Sequence, residues 1–250
     1  NAIGGVCYAL VLMDRECKHL YTYGLQNLKE QSLLQAVNEF IKDISGKPAH
    51  MIADQDRKLI GGEVASFLES PLNPTGTQNN ATMVSGAPDH RQSQIGLVEK
   101  GWKIVTSMTR NWLASNHMLM QFWWFALKYA TQVYNYMPIK YKDMIITPHK
   151  LVYKGKPDYR NLFPIFSVAY VKRYKDGTKK RQKLNQVIKC IVLGNDSKSD
   201  GRLFYVPKTK SLIGSADYAI DHIPLAGAVF NLDYDGHIDF SVLSPSTPNE

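Results

Sequence analysis

The sequence predicts a chain in two parts, an α/β layered domain followed by a small all-β module of the barrel type. Three observations carry that prediction. Residues 5 to 54 read strand, strand, helix, strand, an order that suits a mixed sheet covered by helix. Residues 99 to 153 have helical periodicity and are rich in large aromatics. After "KPDYRNLFP" the texture changes to short β-like runs separated by turn residues.

The elements follow in order. "GVCYALVLM" (5 to 13) reads as a buried strand and "HLYTYGL" (19 to 25) as its partner across a tight connection. Leu33, Leu34, Val37, Phe40, Ile41 and Ile44 fall on one face of a helix that Gly46 stops. "AHMIAD" (49 to 54) is a short apolar strand ending on an acid, and "GGEVASFLES" is a short helix-like piece. "PLNPTGTQNNATMVSG" reads as loop. From Glu99 the pattern is helical, with Trp102, Val105, Met108 or Thr109, and Trp112 at helical spacing. A second helix covers about 118 to 136 and closes at Pro138, and a short one starts near "TPHKLVY". Their Trp and Phe side chains are read as core, with nothing pointing to a cofactor. The β-like runs are "IFSVAYVKR", "QVIKCIVLG", "GRLFYVP" and "SLIGSADYAI", with Asp-Gly or Ser-Asp-Gly turns among them. The expected boundary lies at about Phe163, giving residues 1–163, 164–224 and a weakly structured acidic tail, 225–250.

Composition narrows the function classes. At 250 residues and 44% hydrophobic, the chain can bury a sizeable core. Its longest apolar runs are too short to span a bilayer, and its start lacks the layout of a signal peptide. Cys7, Cys17 and Cys190 are widely spaced and show no ligand pattern, which favours a reducing compartment over a disulfide framework or a zinc site. All 30 basic residues lie at or before Lys210, together with 16 of the 22 acids, a balance of +14 for residues 1–210. A body that basic is either a footprint for nucleic acid or a solvated basic surface.

Asp54 and Glu99 stand out by position, one ending an apolar strand and the other opening a helix. Carboxylates so placed can converge at one sheet edge and hold Mg²⁺ for in-line phosphoryl transfer. The ordinary reading is a helix-dipole partner and a surface acid. Lys172, Arg173, Lys175, Lys179, Lys180, Arg181 and Lys183 surround one acid, Asp176, and would either grip phosphates without reading sequence or form a solubilising loop. Lys100, Lys103 and Arg110 share a helical spacing and would line the same path; Arg110 equally suits a helix-surface salt bridge.

Four strings, "QSQIGLVEKGWKIVTSMTRNWL", "FWWFALKYATQVYNYMP", "TPHKLVYKGKPDYRNLFPIFSVAYV" and "GRLFYVPKTKSLIGSADY", together resemble the integrase region of copia-type LTR retrotransposon polyproteins. The match runs through nearly the whole chain in the right order. It implies an RNase H-like integrase core, incomplete at its N-terminus, followed by a small SH3-like barrel. The activity it implies is two-metal DNA strand transfer with Mg²⁺ or Mn²⁺ on an Asp, Asp, Glu triad. Glu99 matches the third carboxylate, and Asp54 the second with Asp56 as its rival. Asp14 matches a non-catalytic position, so the first catalytic Asp is expected on a strand upstream of Asn1. Gln92 and Gln94 belong to a loop near DNA, where they would bond phosphates or bases or remain simply solvated.

Ile95 departs from the family's Asn and Lys100 from its usual Arg, the Asp54 to Glu99 interval is long, and no His/Cys region precedes the core. The resemblance implies DNA as partner, both element ends and target, with a homo-oligomer left open and no membrane or small-molecule substrate. Its location would be nuclear or in a cytoplasmic particle. The expected function is that of an integrase fragment in a full polyprotein, inactive alone. The alternatives are a non-catalytic nucleic-acid-binding remnant or scaffold and, more weakly, an RNase H-type nuclease.

Overall fold

The computed structural model describes residues 2–53, 57–71, 81–86, 92–173, 186–196, 200–221 and 229–230, with backbone alone at 57, 92–95, 173 and 186. The chain divides into two compact units, Asn1–Val105 with Tyr134–Pro157, and Thr106–Val133 with Asp158–Glu250. These units interleave along the chain, whereas the sequence reading places one boundary at about Phe163.

In the first unit, β1 (Tyr8–Met13) pairs antiparallel with β2 (Leu20–Leu25), from Tyr8 opposite Leu25 to Met13 opposite Leu20. Asp14 builds the turn between them: its Oδ1 accepts from the backbone N–H groups of Glu16 and Cys17, each at 2.8 Å. Helix α1 (Glu30–Asp43) buries Leu33, Ala36, Val37 and Ile41, as its apolar face requires. Its stop differs in detail from the expected one. Ser45, at φ 57°, takes the left-handed position, while Gly46 N donates to Ile41 O at 3.0 Å and Ser45 N to Lys42 O at 3.1 Å.

β3 (His50–Ala53) runs parallel to β4 (Met83–Gly86), with α2 (Arg57–Ile60) and α3 (Glu63–Glu69) between them in sequence. The "MVSG" stretch is therefore strand where loop was expected; the ladder to β3 decides it, because two apolar residues in four give no periodicity to read. Lys47 closes the end of α3, its ammonium donating to the carbonyls of Phe67 at 2.6 Å and Ser70 at 2.7 Å. Leu10, Tyr21, Tyr23, Leu25, Val37, Met51, Val64 and Leu68 form one core under both ladders. The expected mixed sheet is thus present as two two-stranded pieces: among the described residues, no ladder joins β1 or β2 to β3 or β4.

Helix α4 (Gln92–Ser115) is followed by a 3-10 turn (Met120–Phe122) and α5 (Trp123–Tyr136), with Pro138 just beyond. The side-chain amide of Asn135 is buried and serves as a strand partner. Its Oδ1 accepts from Leu20 N and its Nδ2 donates to Leu20 O, both at 2.8 Å. A small hairpin not expected from the sequence follows, β5 (Ile139–Tyr141) and β6 (Met144–Ile146), turning through Lys142 at φ 53°. Thr147 then caps α6 (Pro148–Tyr153), its hydroxyl accepting from Lys150 N at 3.2 Å with Pro148 in the first turn.

The second unit carries a five-stranded antiparallel sheet in the order β10-β9-β8-β7-β11. Its strands are β7 (Val168–Arg173), β8 (Gln186–Asn195), β9 (Arg202–Val206), β10 (Ser211–Ser215) and β11 (Tyr218–Ile220). One face buries Ala169, Val171, Cys190, Val192, Phe204 and Val206. The last expected run proves to be two strands, because Asp217 and Ser215 turn the chain between them. Phe163 is pinned from two sides: Tyr129 Oη donates to its carbonyl and accepts from its N–H, and the buried Arg202 guanidinium lies 4.7 Å over its ring. At Gly201 a Cβ would meet the backbone of Ser215 and Ala216, 2.9 Å from Ala216 N, so the Ser-Asp-Gly turn admits no side chain there.

Removing the Asn135 amide strands a buried N–H and a buried C=O together. Asn135→Ala is expected to cost about 2–4 kcal/mol in urea unfolding, since each orphaned group costs roughly 1–3 kcal/mol. Thr131→Val, which removes a hydroxyl bonded to Leu127 O within its own helix, should cost less than about 1 kcal/mol. Equal losses from the two substitutions would contradict the strand-partner role.

Candidate functional site

Glu99 does not open its helix. α4 starts at Gln92 and its first turn holds no acid, so the expected dipole partnership gives way to a position inside the helix body. The loop expected to carry Gln92 and Gln94 is, from Gln92 onward, helical backbone. Gly96 lies inside this helix, and a single Gly costs an otherwise good helix only about 1 kcal/mol. Gly101, two residues after Glu99, is buried against the end of the β1–β2 hairpin. A Cβ there would meet Met13 Cε and would lie 3.4 Å from Leu20 Cδ1 and 3.6 Å from Tyr134 Oη. Glycine thus lets α4 approach the point where β1 ends and β2 begins. Glu99, Lys100 and Lys103 are exposed on the same helix, Glu99 and Lys103 each about 200° round it from Gly101, while Arg110 is half-buried farther along.

Asp54 and its rival Asp56 lie outside the described residues, as do Lys175, Lys179, Lys180, Arg181 and Lys183. Asp54 follows β3 directly in the chain. Among the described residues no three His, Cys, Asp or Glu side chains gather to hold a metal ion. Glu99 is therefore the one expected ligand the structure places. Asp14 Oδ1 is engaged in the turn after β1. In the second unit Lys172 is exposed on β7, its ammonium 3.7 Å from Asp217 Oδ1, and Arg173 closes the strand.

An aromatic–imidazole cluster around the buried His19 escaped the sequence reading. His19, 5% exposed, stacks 4.4 Å from Tyr21 and 5.6 Å from Tyr153. His149, on α6, lies 4.8 Å from Tyr153 and 5.0 Å from Tyr136. Burial, and secondly the charge of His149, push the His19 pKa down to about 4, against a smaller pull upward from Asp14. Nothing in "KHLYTY" or "TPHKLVY" signals the pairing, because the two histidines are 130 positions apart and meet only through packing.

No protein-family model matches the chain. No curated protein matches it. Among solved structures it is similar to a chain of the simian T-cell lymphotropic virus intasome in complex with PP2A regulatory subunit B56 gamma. That likeness covers 86% of this chain and 72% of the other at 14% identity, with a TM-score of 0.45. It is also similar to the catalytic core domain of BIV integrase, covering 58% of this chain and 84% of the other at 10% identity and a TM-score of 0.41. Values this low assign neither fold nor function.

The folded state holds His19 neutral, so it binds fewer protons than the unfolded chain between the ordinary imidazole pKa of 6.5 and about 4. Stability is therefore full above pH 6.5 and falls as pH drops toward 4, by roughly 3 kcal/mol in all. Urea midpoints at pH 7 and pH 4.5 check this. His19→Phe, which keeps a ring and removes the titration, should flatten the difference, and a variant as pH-sensitive as the wild type would refute the assignment.

Proposed function

We propose that this chain is the core and following β-module of a copia-type retroelement integrase, acting on DNA within a larger polyprotein. The observation that carries the reading is the seat of α4. Gly101 brings α4 to the end of β1, and the same helix carries Glu99 with its carboxylate exposed. Asp54, immediately after β3, is the second carboxylate of the proposed set. Bound Mg²⁺ or Mn²⁺ would supply electrostatic stabilisation to a displacement at phosphorus. The chain's own part is to present the two carboxylates and to hold DNA on Lys100, Lys103, Arg110 and the basic residues from Lys172 onward. Gln92 and Gln94 would approach the same DNA. Within this proposal the five-stranded sheet is the SH3-like module, and Asp54 and Glu99 are the second and third carboxylates of the triad. No helix among the described residues is long and apolar enough to cross a membrane.

The rival reading is a nucleic-acid-binding remnant or scaffold without catalysis, which the +14 balance of residues 1–210 suits equally well. Mn²⁺ titration followed by water-proton relaxation separates the two. The integrase reading expects Asp54→Asn and Glu99→Gln each to weaken Mn²⁺ binding on the order of tenfold or more, with DNA affinity at fixed salt unchanged, because the metal charge is held by those oxygens. Mn²⁺ binding indifferent to both substitutions would leave the remnant reading standing.

A further inference from the structure

We infer that the outward face of β7 and β8 is a platform for single-stranded nucleic acid, on which Tyr170 stacks an unpaired base while Lys172 and Lys189 hold the adjoining phosphates. The register places these groups together. Tyr170 stands directly opposite Lys189, and Lys172 directly opposite Val187. Ala169 and Val171 point the other way, into the core, so the four outward residues form one contiguous patch. Both strands lie inside the sheet rather than at its edge, yet Tyr170 is 40% exposed and Val187 57%. Farther along the same face, Val168 and Ile191 are buried. The open part of the face is thus confined to the rows that carry the lysines.

The surroundings suit a flat ligand. On its other side Tyr170 is opposite Ala219 of β11, a methyl group too small to cover the ring. Lys189 Nζ lies 5.2 Å over the Phe230 ring, which keeps the ammonium beside apolar surface. Lys172 is ion-paired with Asp217 at 3.7 Å, and both side chains are close to half-exposed. Exposed pairs of this kind contribute little, so a phosphate can take the place of the carboxylate. Charge selects a polyanion, and residues 1–210 carry a balance of +14. The tyrosine then selects among polyanions. Bases in a duplex are already stacked on one another, whereas an unpaired base gains by stacking on an aromatic ring at a sheet surface.

The inference rests on the nucleic-acid part of the proposed function and is independent of its metal part. The test is fluorescence anisotropy of the full chain with labelled oligothymidylate and with a labelled duplex of the same length, over a salt series. Tyr170→Ala should weaken oligothymidylate binding on the order of tenfold and leave duplex binding within about twofold. Tyr170→Phe should restore the single-strand affinity, since it keeps the ring. Lys189→Ala should lower the salt dependence of oligothymidylate binding by close to one phosphate contact. A thermal melt of each variant confirms the fold, which an exposed side chain does not hold together. If Tyr170→Ala changes both ligands equally or neither, the platform is refuted while the nucleic-acid reading survives. If the wild-type chain binds neither probe, both are refuted.

Discussion

A single buried amide holds the first unit in order. Asn135, near the end of α5, presents a carbonyl and an NH₂ to the two backbone groups of Leu20, and so fixes where β2 begins. The position of Leu20 sets the hairpin register, because it is the residue opposite Met13. Those same two side chains receive Gly101 and seat α4, which in turn sets where Glu99 reaches the surface. His19, next in the chain, is carried into its stack of tyrosines by the same anchor. A pair of hydrogen bonds that adds modestly to stability when made is costly when broken, since both strand groups are out of reach of water. The site therefore inherits its geometry from a residue with no chemistry of its own.

The second unit uses a similar device. Tyr129 pairs both backbone groups of Phe163 through one hydroxyl, and Arg202 covers the ring while its Nη2 donates to Arg160 O at 2.8 Å. Several positions that carry the sequence resemblance thus have structural duties. Asn135 and Pro138 end α5 and tie it down, and Thr147 with Pro148 starts α6. Such positions serve the folding of the chain, so a reaction has to be argued from Asp54 and Glu99 instead.

What could be read from the sequence was what local periodicity encodes. The apolar stripe from Leu33 to Ile44 gave α1, and alternation with turn residues gave the strands of the second unit. Two kinds of feature stayed hidden. Short elements fixed by a partner, such as β4 against β3 and the β5–β6 hairpin, have too few residues to show a period. Contacts made across long separations, such as Asn135 with Leu20 or His19 with His149 through Tyr153, leave no local mark at all. The start of α4 is hidden for a third reason: Gly96 has the look of a helix breaker, although the flanking sequence sustains the helix across it. For the site, residue types and strand ends were legible. The seat of α4 was not, because it depends on the absence of a side chain at Gly101.

The division of the first unit into two ladders over one core has a practical side. Among the described residues β1 is paired on one side alone, and its sequence, YALVLM, carries no charge to guard the other edge. A backbone row of that kind accepts another strand from wherever one is supplied, including a neighbouring molecule. Dilution, or a short β-strand peptide offered in excess, is the means of keeping such an edge from meeting its own kind.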